Sequence, residues 1–236
     1  MSIRIQQLTK LYSSQKAVND VSFDVHRGEI VGFLGPNGAG KSTTMKITTG
    51  YLAATSGRVE VCGFDVATQS MEVRRHIGYL PEHNPLYTEM YIKEFLQFVG
   101  GLYGLKGESL RLRVSEMIEM CGLGVEQHKK IGQLSKGYRQ RVGLAQALIH
   151  NPPVLILDEA TTGLDPNQIV EIRQLIKTVG REKTVLFSSH IMQEVEAICD
   201  RVVIIHRGQV VADRILTDLQ SEGKSLEEVF RTLTTQ

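Results

Sequence analysis

GPNGAGKST, residues 35–43, is the stretch of the sequence that decides the fold. It carries the pattern G-x-x-x-x-G-K-[ST], and it lies between a strand pattern, EIVGFLG, and a helical pattern, KSTTMKITTGYL. Glycines in such a loop let backbone N–H groups turn toward phosphate oxygens, and the start of the following helix adds partial positive charge. Strand, glycine loop and helix together therefore predict a site for a nucleoside triphosphate.

Each residue of this loop is a predicted nucleotide contact. Lys41 is expected to reach the β and γ phosphates, and the Ser42 hydroxyl is expected to ligate Mg²⁺. The other contacts expected from the loop are Gly35, Pro36, Asn37, Gly38, Ala39, Gly40 and Thr43. The loop therefore predicts a triphosphate that is bound together with Mg²⁺.

The composition is that of an ordinary folded protein. Hydrophobic residues make up 42% and charged residues 22% of the 236 residues, and the formal net charge is +1. No basic tract indicates a nucleic-acid partner, so none is expected. The 3 cysteines have neither disulfide nor zinc-site spacing, which favours a reducing, cytoplasmic environment. No apolar run approaches the roughly 20 residues that a membrane-spanning helix needs.

Strand and helix patterns alternate along most of the chain, which predicts an α/β fold. The apolar runs at 154–157 and 202–205 lack polar alternation, as expected for parallel strands that are covered on both faces. Between residues 88 and 150 the pattern changes to helices, which predicts an inserted helical subdomain. We expect a single domain, 1–236, with a catalytic core at 1–87 and 151–212, the helical subdomain at 88–150 and a C-terminal helical tail at 213–236.

Two adjacent acids, Asp158 and Glu159, end the buried strand pattern VLILDEA. Successive strand residues point in opposite directions, so the two carboxylates are expected to do different jobs. Asp158 would face the hydrated Mg²⁺, and Glu159 would act on the attacking water as general base. His190 follows another apolar pattern, TVLFSSH, and could contact the γ phosphate or the water through one ring nitrogen. Lys41, Glu159 and His190 are the candidate catalytic residues, with a solvated acidic pair and a loop histidine as the alternatives.

LSKGYRQR, residues 134–141, has the features of a helix start that favours an anion. Ser135 could cap that helix, and Lys136 and Gly137 lie where exposed N–H groups attract negative charge. A helix cap alone would also explain the serine. In GLDP, Asp165 could likewise cap the next helix, with a proline in its first turn.

These motifs together resemble those of the nucleotide-binding subunits of ATP-binding cassette (ABC) transporters, over nearly the whole chain. In order, GPNGAGKST resembles the Walker A motif, LSKGYRQR the family signature, VLILDEA the Walker B motif, GLDP the D-loop and SSH the switch histidine. The resemblance implies a P-loop NTPase fold of the ABC ATPase type. That fold has a RecA-like core sheet, an antiparallel β-subdomain and an inserted α-helical subdomain. The resemblance also implies an ATPase that takes ATP with Mg²⁺.

The resemblance further implies that two such subunits, here expected to be a homodimer, pair head to tail around two ATP molecules. Ser135 and Gly137 of one copy would contact the γ phosphate held by the other copy, and Lys136 would bind the same nucleotide in trans. Asp165 would lie at the interface. Tyr12 would stack on adenine. The dimer would sit on the cytoplasmic face of the cell membrane through a separate integral membrane permease and drive transport. Details such as SSHIMQEVEAICDRVVII resemble the exporter-type branch, which implies export.

The sequence departs from the family pattern at Glu82, in GYLPEHNPLY, where the family usually has a glutamine that joins the Mg²⁺ and water site to the permease. A carboxylate can still ligate Mg²⁺, so the expected metal ligands are Ser42, Asp158 and Glu82, but Glu82 adds negative charge beside the triphosphate. The same segment resembles ATPase subunits named for gliding motility in certain bacteria. Two other functions stay open at this stage. One is an ABC-type ATPase of DNA repair, chromosome maintenance or translation, and the other is a regulatory module that binds ATP without hydrolysis.

Overall fold

The computed structural model describes residues 1–234, so the last two residues of the predicted 213–236 tail lie outside the described residues. The strands are β1 Ile3–Tyr12, β2 Gln15–Val25, β3 Ile30–Leu34, β4 Ser56–Val61, β5 Phe64–Asp65, β6 Ile77–Leu80, β7 Val154–Asp158, β8 Thr184–Ser189, β9 Arg201–His206 and β10 Gln209–Ile215. The helices are α1 Lys41–Thr48, α2 Ser70–His76, α3 Ile92–Leu102, α4 Gly107–Met120, α5 Lys136–Leu148, α6 Pro166–Gly180, α7 Met192–Ile198, α8 Leu216–Ser221 and α9 Leu226–Thr234. A 3₁₀ turn at Ile131–Gln133 precedes α5.

The strands within residues 1–234 form two sheets. The larger sheet has the order β10-β9-β3-β8-β7-β6, and its strands from β9 to β6 are parallel to one another. Strand β10 is added antiparallel to β9 at one edge. The smaller sheet is antiparallel, with the order β2-β1-β4-β5. The predicted α/β class, with a parallel core sheet and an antiparallel β-subdomain, is confirmed.

The larger sheet is buried on both faces, as its unbroken apolar runs predict. In β7, Leu155 and Leu157 pack on the side of the helices, whereas Val154 and Ile156 pack on the side of the antiparallel sheet and α1. All four side chains are fully buried. Burying a side chain of this size contributes about 1.5–3 kcal/mol, so the two faces together fix the position of each central strand.

The helical segment between β6 and β7 contains α3, α4 and α5. Helix α5 contacts α3 and α4 on one side and β6 on the other, so it connects the helical segment to the core sheet. The expected core boundary at residue 212 falls inside β10, which pairs with β9 as far as Ile215. Helix α9 packs Val229, Phe230 and Leu233 against the core on its apolar face. None of the helices within residues 1–234 has the length and apolar character of a membrane span.

The parallel arrangement determines where chemistry can occur. Strands β3, β7 and β8 are neighbours in register, with Leu34 beside Ser189 and Asp158 beside Ser188. Because parallel strands end at the same edge of a sheet, the loops that follow these three strands converge there. The glycine loop, the Asp158 and Glu159 pair and His190 therefore meet, although they are far apart in the sequence.

Candidate nucleotide site

A cavity of about 500 Å³ lies at this edge of the sheet. It is lined by residues of the glycine loop and of the loops after β6, β7 and β8. The predicted site residues among them are Asn37, Gly38, Ala39, Gly40, Lys41, Ser42, Thr43, Glu82, Glu159 and His190. The structure thus brings most of the predicted triphosphate, metal and catalytic residues to a single cavity, whereas Gly35, Pro36 and Asp158 do not line it.

The glycine loop has a shape that side chains would obstruct. Gly40 has a φ of 110°, in the left-handed region, and a Cβ there would lie 2.5 Å from the Ala17 carbonyl oxygen. A Cβ on Gly35 would overlap the carbonyl oxygen of Ile205. Gly38 also has a positive φ, of 78°, but nothing lies within 4 Å of its missing side chain. The loop is therefore tightly packed underneath and open above, which fits the close approach of phosphate oxygens to its backbone.

Lys41 opens α1 and is buried, with only 5% of its surface exposed. Its Nζ donates to the carbonyl oxygens of Gly35 at 2.8 Å and Pro36 at 3.3 Å, and it lies 3.5 Å from Glu159 Oε1. A buried ammonium group needs such partners to offset its loss of hydration. Phosphate oxygens are stronger partners for an ammonium than carbonyls are, so this lysine is suited to binding a triphosphate.

Asp158 ends β7 and is almost fully buried. Its Oδ1 accepts hydrogen bonds from Ser188 Oγ at 2.6 Å and from Ser42 Oγ at 3.2 Å. Burial raises the pKa of the Asp158 carboxyl above its ordinary value, and the nearby Glu82 and Glu159 charges act in the same direction, against the two serine hydrogen bonds. A divalent cation beside this carboxylate would relieve the unfavourable burial of its charge.

The donor set around Asp158 fits Mg²⁺, which prefers hard oxygen ligands and takes only a few of them from protein. The Ser42 hydroxyl and an Asp158 carboxylate oxygen are 3.2 Å apart, and Glu82 lines the same cavity. No three His, Cys, Asp or Glu side chains within residues 1–234 form a metal cluster by themselves. Protein carboxylates alone would thus leave most of the coordination shell to water and phosphate oxygens.

Glu159 lies just beyond the end of β7 and has a φ of 52°, in the left-handed region. A left-handed turn, rather than strand alternation, therefore separates its side chain from that of Asp158. Its backbone N–H donates to Ser188 Oγ at 3.0 Å. His190 Nδ1 lies 2.8 Å from Glu159 Oε2, within hydrogen-bond distance of this carboxylate oxygen. His190 also lines the cavity.

The residues that resemble the family signature lie elsewhere. Ser135 caps α5, and its Oγ accepts from the backbone N–H of Tyr138 at 3.4 Å. Ser135 and Lys136 are exposed, whereas Gly137 is covered by the side chain of Gln168. None of the three signature residues lines the cavity of the glycine loop.

Two further predicted site residues, Asp165 and Tyr12, lie outside the cavity. Asp165 caps α6, where its Oδ1 accepts from the backbone N–H of Gln168 at 3.0 Å, with Pro166 in the first turn as expected. Tyr12 ends β1 with 46% of its surface exposed, and Lys10 Nζ lies 5.5 Å from its ring centroid. Tyr12 does not line the cavity, so its contact with adenine stays a prediction.

Sequence reasoning assigned no role to Ser188, Thr162 or Gln168. Ser188 is fully buried and contacts the Asp158 carboxylate and the Glu159 backbone N–H. Thr162 Oγ1 donates to Glu159 Oε2 at 3.0 Å. The only signal for Ser188 was a polar residue at the end of an apolar strand, since a buried hydroxyl requires a partner. The contacts of Gln168 with Gly137 had no signal in the sequence, because they depend on how α5 and α6 pack.

Comparison with known proteins identifies the family. The ABC transporter family model matches residues 18–162. The chain is 42% identical over 212 residues to the ABC transporter ATP-binding protein NatA of Bacillus subtilis, which covers 89% of this chain and 86% of that protein. It is 39% identical to the bacitracin transport ATP-binding protein BcrA of Bacillus licheniformis, over 96% of this chain and 74% of that protein. The chain therefore belongs to the ABC transporter family.

Solved structures agree with this assignment. An ATP-binding subunit of an ABC transporter superposes with a TM-score of 0.89 at 32% identity and covers 99% of each chain. A dimeric ATP-binding cassette in a post-hydrolysis state, bound to ADP and Pi, gives a TM-score of 0.84 at 27% identity over 91% of this chain and 98% of the other. This protein is thus an ATP-binding and ATP-hydrolysing subunit of an ABC transporter. The resemblance to gliding-motility subunits stays a prediction.

Proposed function

We propose that two copies of this chain pair head to tail and that the signature of each copy completes the ATP site of the other. The main support for this proposal is that the signature residues lie outside the cavity that contains Lys41 and Glu159. Two of them, Ser135 and Lys136, are exposed to solvent. A capped helix start without an acidic residue in its first turn attracts anions. Such a site needs a phosphate from outside its own chain. The D-loop residue Asp165 would lie at the same interface.

Within each site, Lys41 and Glu159 would change partners when ATP binds. Lys41 has a single ammonium group, and a triphosphate competes for it with the Gly35 and Pro36 carbonyls and with Glu159. Once Lys41 turns to phosphate, Glu159 Oε1 becomes available to accept a proton from the attacking water. His190 would hold the other carboxylate oxygen and present its free ring nitrogen to the γ phosphate or the water.

Ser42, Asp158 and Glu82 would hold Mg²⁺ together with phosphate oxygens and water. When bound, the cation neutralises charge on the β and γ phosphates and orients them. The protein's part is to keep the Asp158 carboxylate in place through Ser42 and Ser188. Glu82 adds a third acid to this region, which makes nucleotide binding depend more strongly on the cation.

A second cavity, of about 540 Å³, provides the surface for the permease. It lies between β6, α3 and α5, and it shares Pro85 and Tyr79 with the pocket around Glu82. Five large hydrophobic or aromatic residues of its lining are exposed to solvent: Tyr51, Tyr87, Phe98, Leu102 and Tyr103. A cluster of this kind is suited to contact with another protein. We place the subunit on the cytoplasmic face of the cell membrane, with residues 88–150 acting as the helical subdomain that transmits closure to a separate permease. One relative is named for the transport of bacitracin, and we propose export as the direction for this subunit.

The test uses the purified full-length chain and its Glu159→Gln variant. Wild-type protein should release phosphate from Mg-ATP, and the variant should lose that turnover while retaining ATP and forming dimers, as measured by light scattering. A variant that still hydrolyses ATP at the wild-type rate would refute Glu159 as the base. Wild-type protein that binds ATP without releasing phosphate would instead favour a regulatory ATP-binding module.

A further inference from the structure

The Glu159 carboxylate is held by three groups from three different parts of the chain. Oε1 lies 3.5 Å from Lys41 Nζ at the start of α1. Oε2 accepts from Thr162 Oγ1 at 3.0 Å and from His190 Nδ1 at 2.8 Å. The two oxygens therefore have different partners. Oε1 faces an ammonium group that a phosphate could also bind, whereas Oε2 accepts two hydrogen bonds.

Thr162 belongs to the same loop as the residue that it holds. It follows Glu159 by three residues and precedes Asp165, the cap of α6, by three. It lines the nucleotide cavity beside Glu159 and His190. Its backbone N–H donates to the Glu159 carbonyl at 3.1 Å, which closes a turn around the left-handed Glu159. Backbone and side chain of Thr162 thus act together on the orientation of one carboxylate.

We propose that Thr162 is a positioning residue for hydrolysis, because its hydroxyl fixes Oε2 so that Oε1 faces the attacking water. The inference rests on the proposed role of Glu159 as general base. Without the hydroxyl, His190 is the remaining donor to Oε2, and the terminal torsion of a glutamate side chain has a broad energy well. The carboxylate then spends less time in the productive orientation, while the contacts of the glycine loop with phosphate are unchanged.

The adjacent Thr161 provides a matched control. Its side chain is 2% exposed, and its Oγ1 has no hydrogen-bond partner, whereas Thr162 Oγ1 has Glu159. Replacing either threonine with valine keeps the shape and removes one hydroxyl. Removing a buried hydroxyl without a partner is neutral or stabilising, so Thr161→Val should behave as wild type. The pair separates the loss of a specific hydrogen bond from the general effect of a hydrophobic substitution in this loop.

The experiment measures phosphate release and the affinity for a fluorescent ATP analogue with Mg²⁺ in Thr162→Val, Thr162→Ser, Thr161→Val and Glu159→Gln. Thr162→Val should lower kcat about tenfold, the effect of losing one hydrogen bond to the base, with KM and affinity within about twofold of wild type. Thr162→Ser keeps the hydroxyl and should retain most of the wild-type kcat. Thermal unfolding of each variant checks the fold, and Thr162→Ala replaces the valine variant under the same criteria if that variant does not fold.

The outcomes separate this inference from the proposed function. If Glu159→Gln turns over at the wild-type rate, the general-base role itself fails. If Glu159→Gln is inactive and Thr162→Val retains the wild-type kcat, only the positioning role is overturned. An equal loss in Thr162→Val and Thr162→Ser, or in Thr162→Val and Thr161→Val, would also overturn it, because the hydroxyl of Thr162 would then not be the cause.

Discussion

The Ser188 hydroxyl bonds to the Asp158 carboxylate and to the Glu159 backbone N–H, and replacing Ser188 with alanine should destabilise the protein by about 2–4 kcal/mol. Its Oγ donates to Asp158 Oδ1 at 2.6 Å, a charge-assisted bond that contributes about 1.5–3 kcal/mol. The same oxygen accepts from the Glu159 backbone N–H at 3.0 Å. That N–H keeps the Ser188 carbonyl at 3.3 Å as a weaker acceptor, so its share of the loss is about 0.5–1 kcal/mol.

Urea unfolding followed by circular dichroism at pH 8 measures the change in the free energy of unfolding for Ser188→Ala. The same substitution in an Asp158→Asn background is the control, because a neutral acceptor lowers the contribution of this hydrogen bond to about 1 kcal/mol. Equal losses in the two backgrounds would refute the charge-assisted bond. A Ser188→Ala protein within about 0.5 kcal/mol of wild type would refute the argument as a whole.

Two other predictions concern charge. Glu82→Gln removes one acid from the cavity, so the affinity for ATP in EDTA should rise a few-fold to about tenfold. The ratio of the affinity with Mg²⁺ to the affinity without it, measured by fluorescence titration, should therefore fall. An unchanged ratio would contradict a role for Glu82 in metal dependence. Burial lowers the pKa of His150 to about 4, so its folded form resists protonation. Stability is therefore complete above the unfolded pKa of about 6.5 and falls as the pH drops toward 4, by at most on the order of 2 kcal/mol because the ring is partly exposed. The urea midpoint should fall from pH 7 to pH 5 in the wild type and fall less in His150→Phe. An equal fall in the two proteins would contradict the role of His150.

The central strands were the part of the fold that the sequence predicts best. Residues 154–157 and 202–205 are apolar without alternation because both faces of β7 and β9 are covered, so burial leaves a direct record in the sequence. Strands with many exposed residues leave a weaker record. Strand β4, SGRVEV, has three exposed residues in a row, and β10 has only exposed and half-buried residues. Polar and apolar residues therefore mix in these strands, and the predicted core boundary at residue 212 falls inside β10.

The nucleotide site likewise contains residues that the sequence predicts and residues that it does not. The Walker motifs could be predicted because their residues are neighbours in the sequence and each residue type has a definite chemical use. Ser188 and Thr162 could not, because the bond from Ser188 to Asp158 joins residues 30 apart and that from Thr162 depends on the left-handed turn at Glu159. Supporting contacts of this kind follow from tertiary packing, which a local pattern does not contain.

The most direct test of the account mixes two inactive variants, Lys41→Ala and Ser135→Arg, and measures phosphate release from Mg-ATP. In a head-to-tail pair of one copy of each, one site contains both defects and the other contains an intact Lys41 and an intact Ser135. We predict that the mixture regains hydrolysis well above the sum of the two variants measured alone. A mixture that stays as inactive as its components, with both variants folded, would contradict a catalytic site shared between two copies.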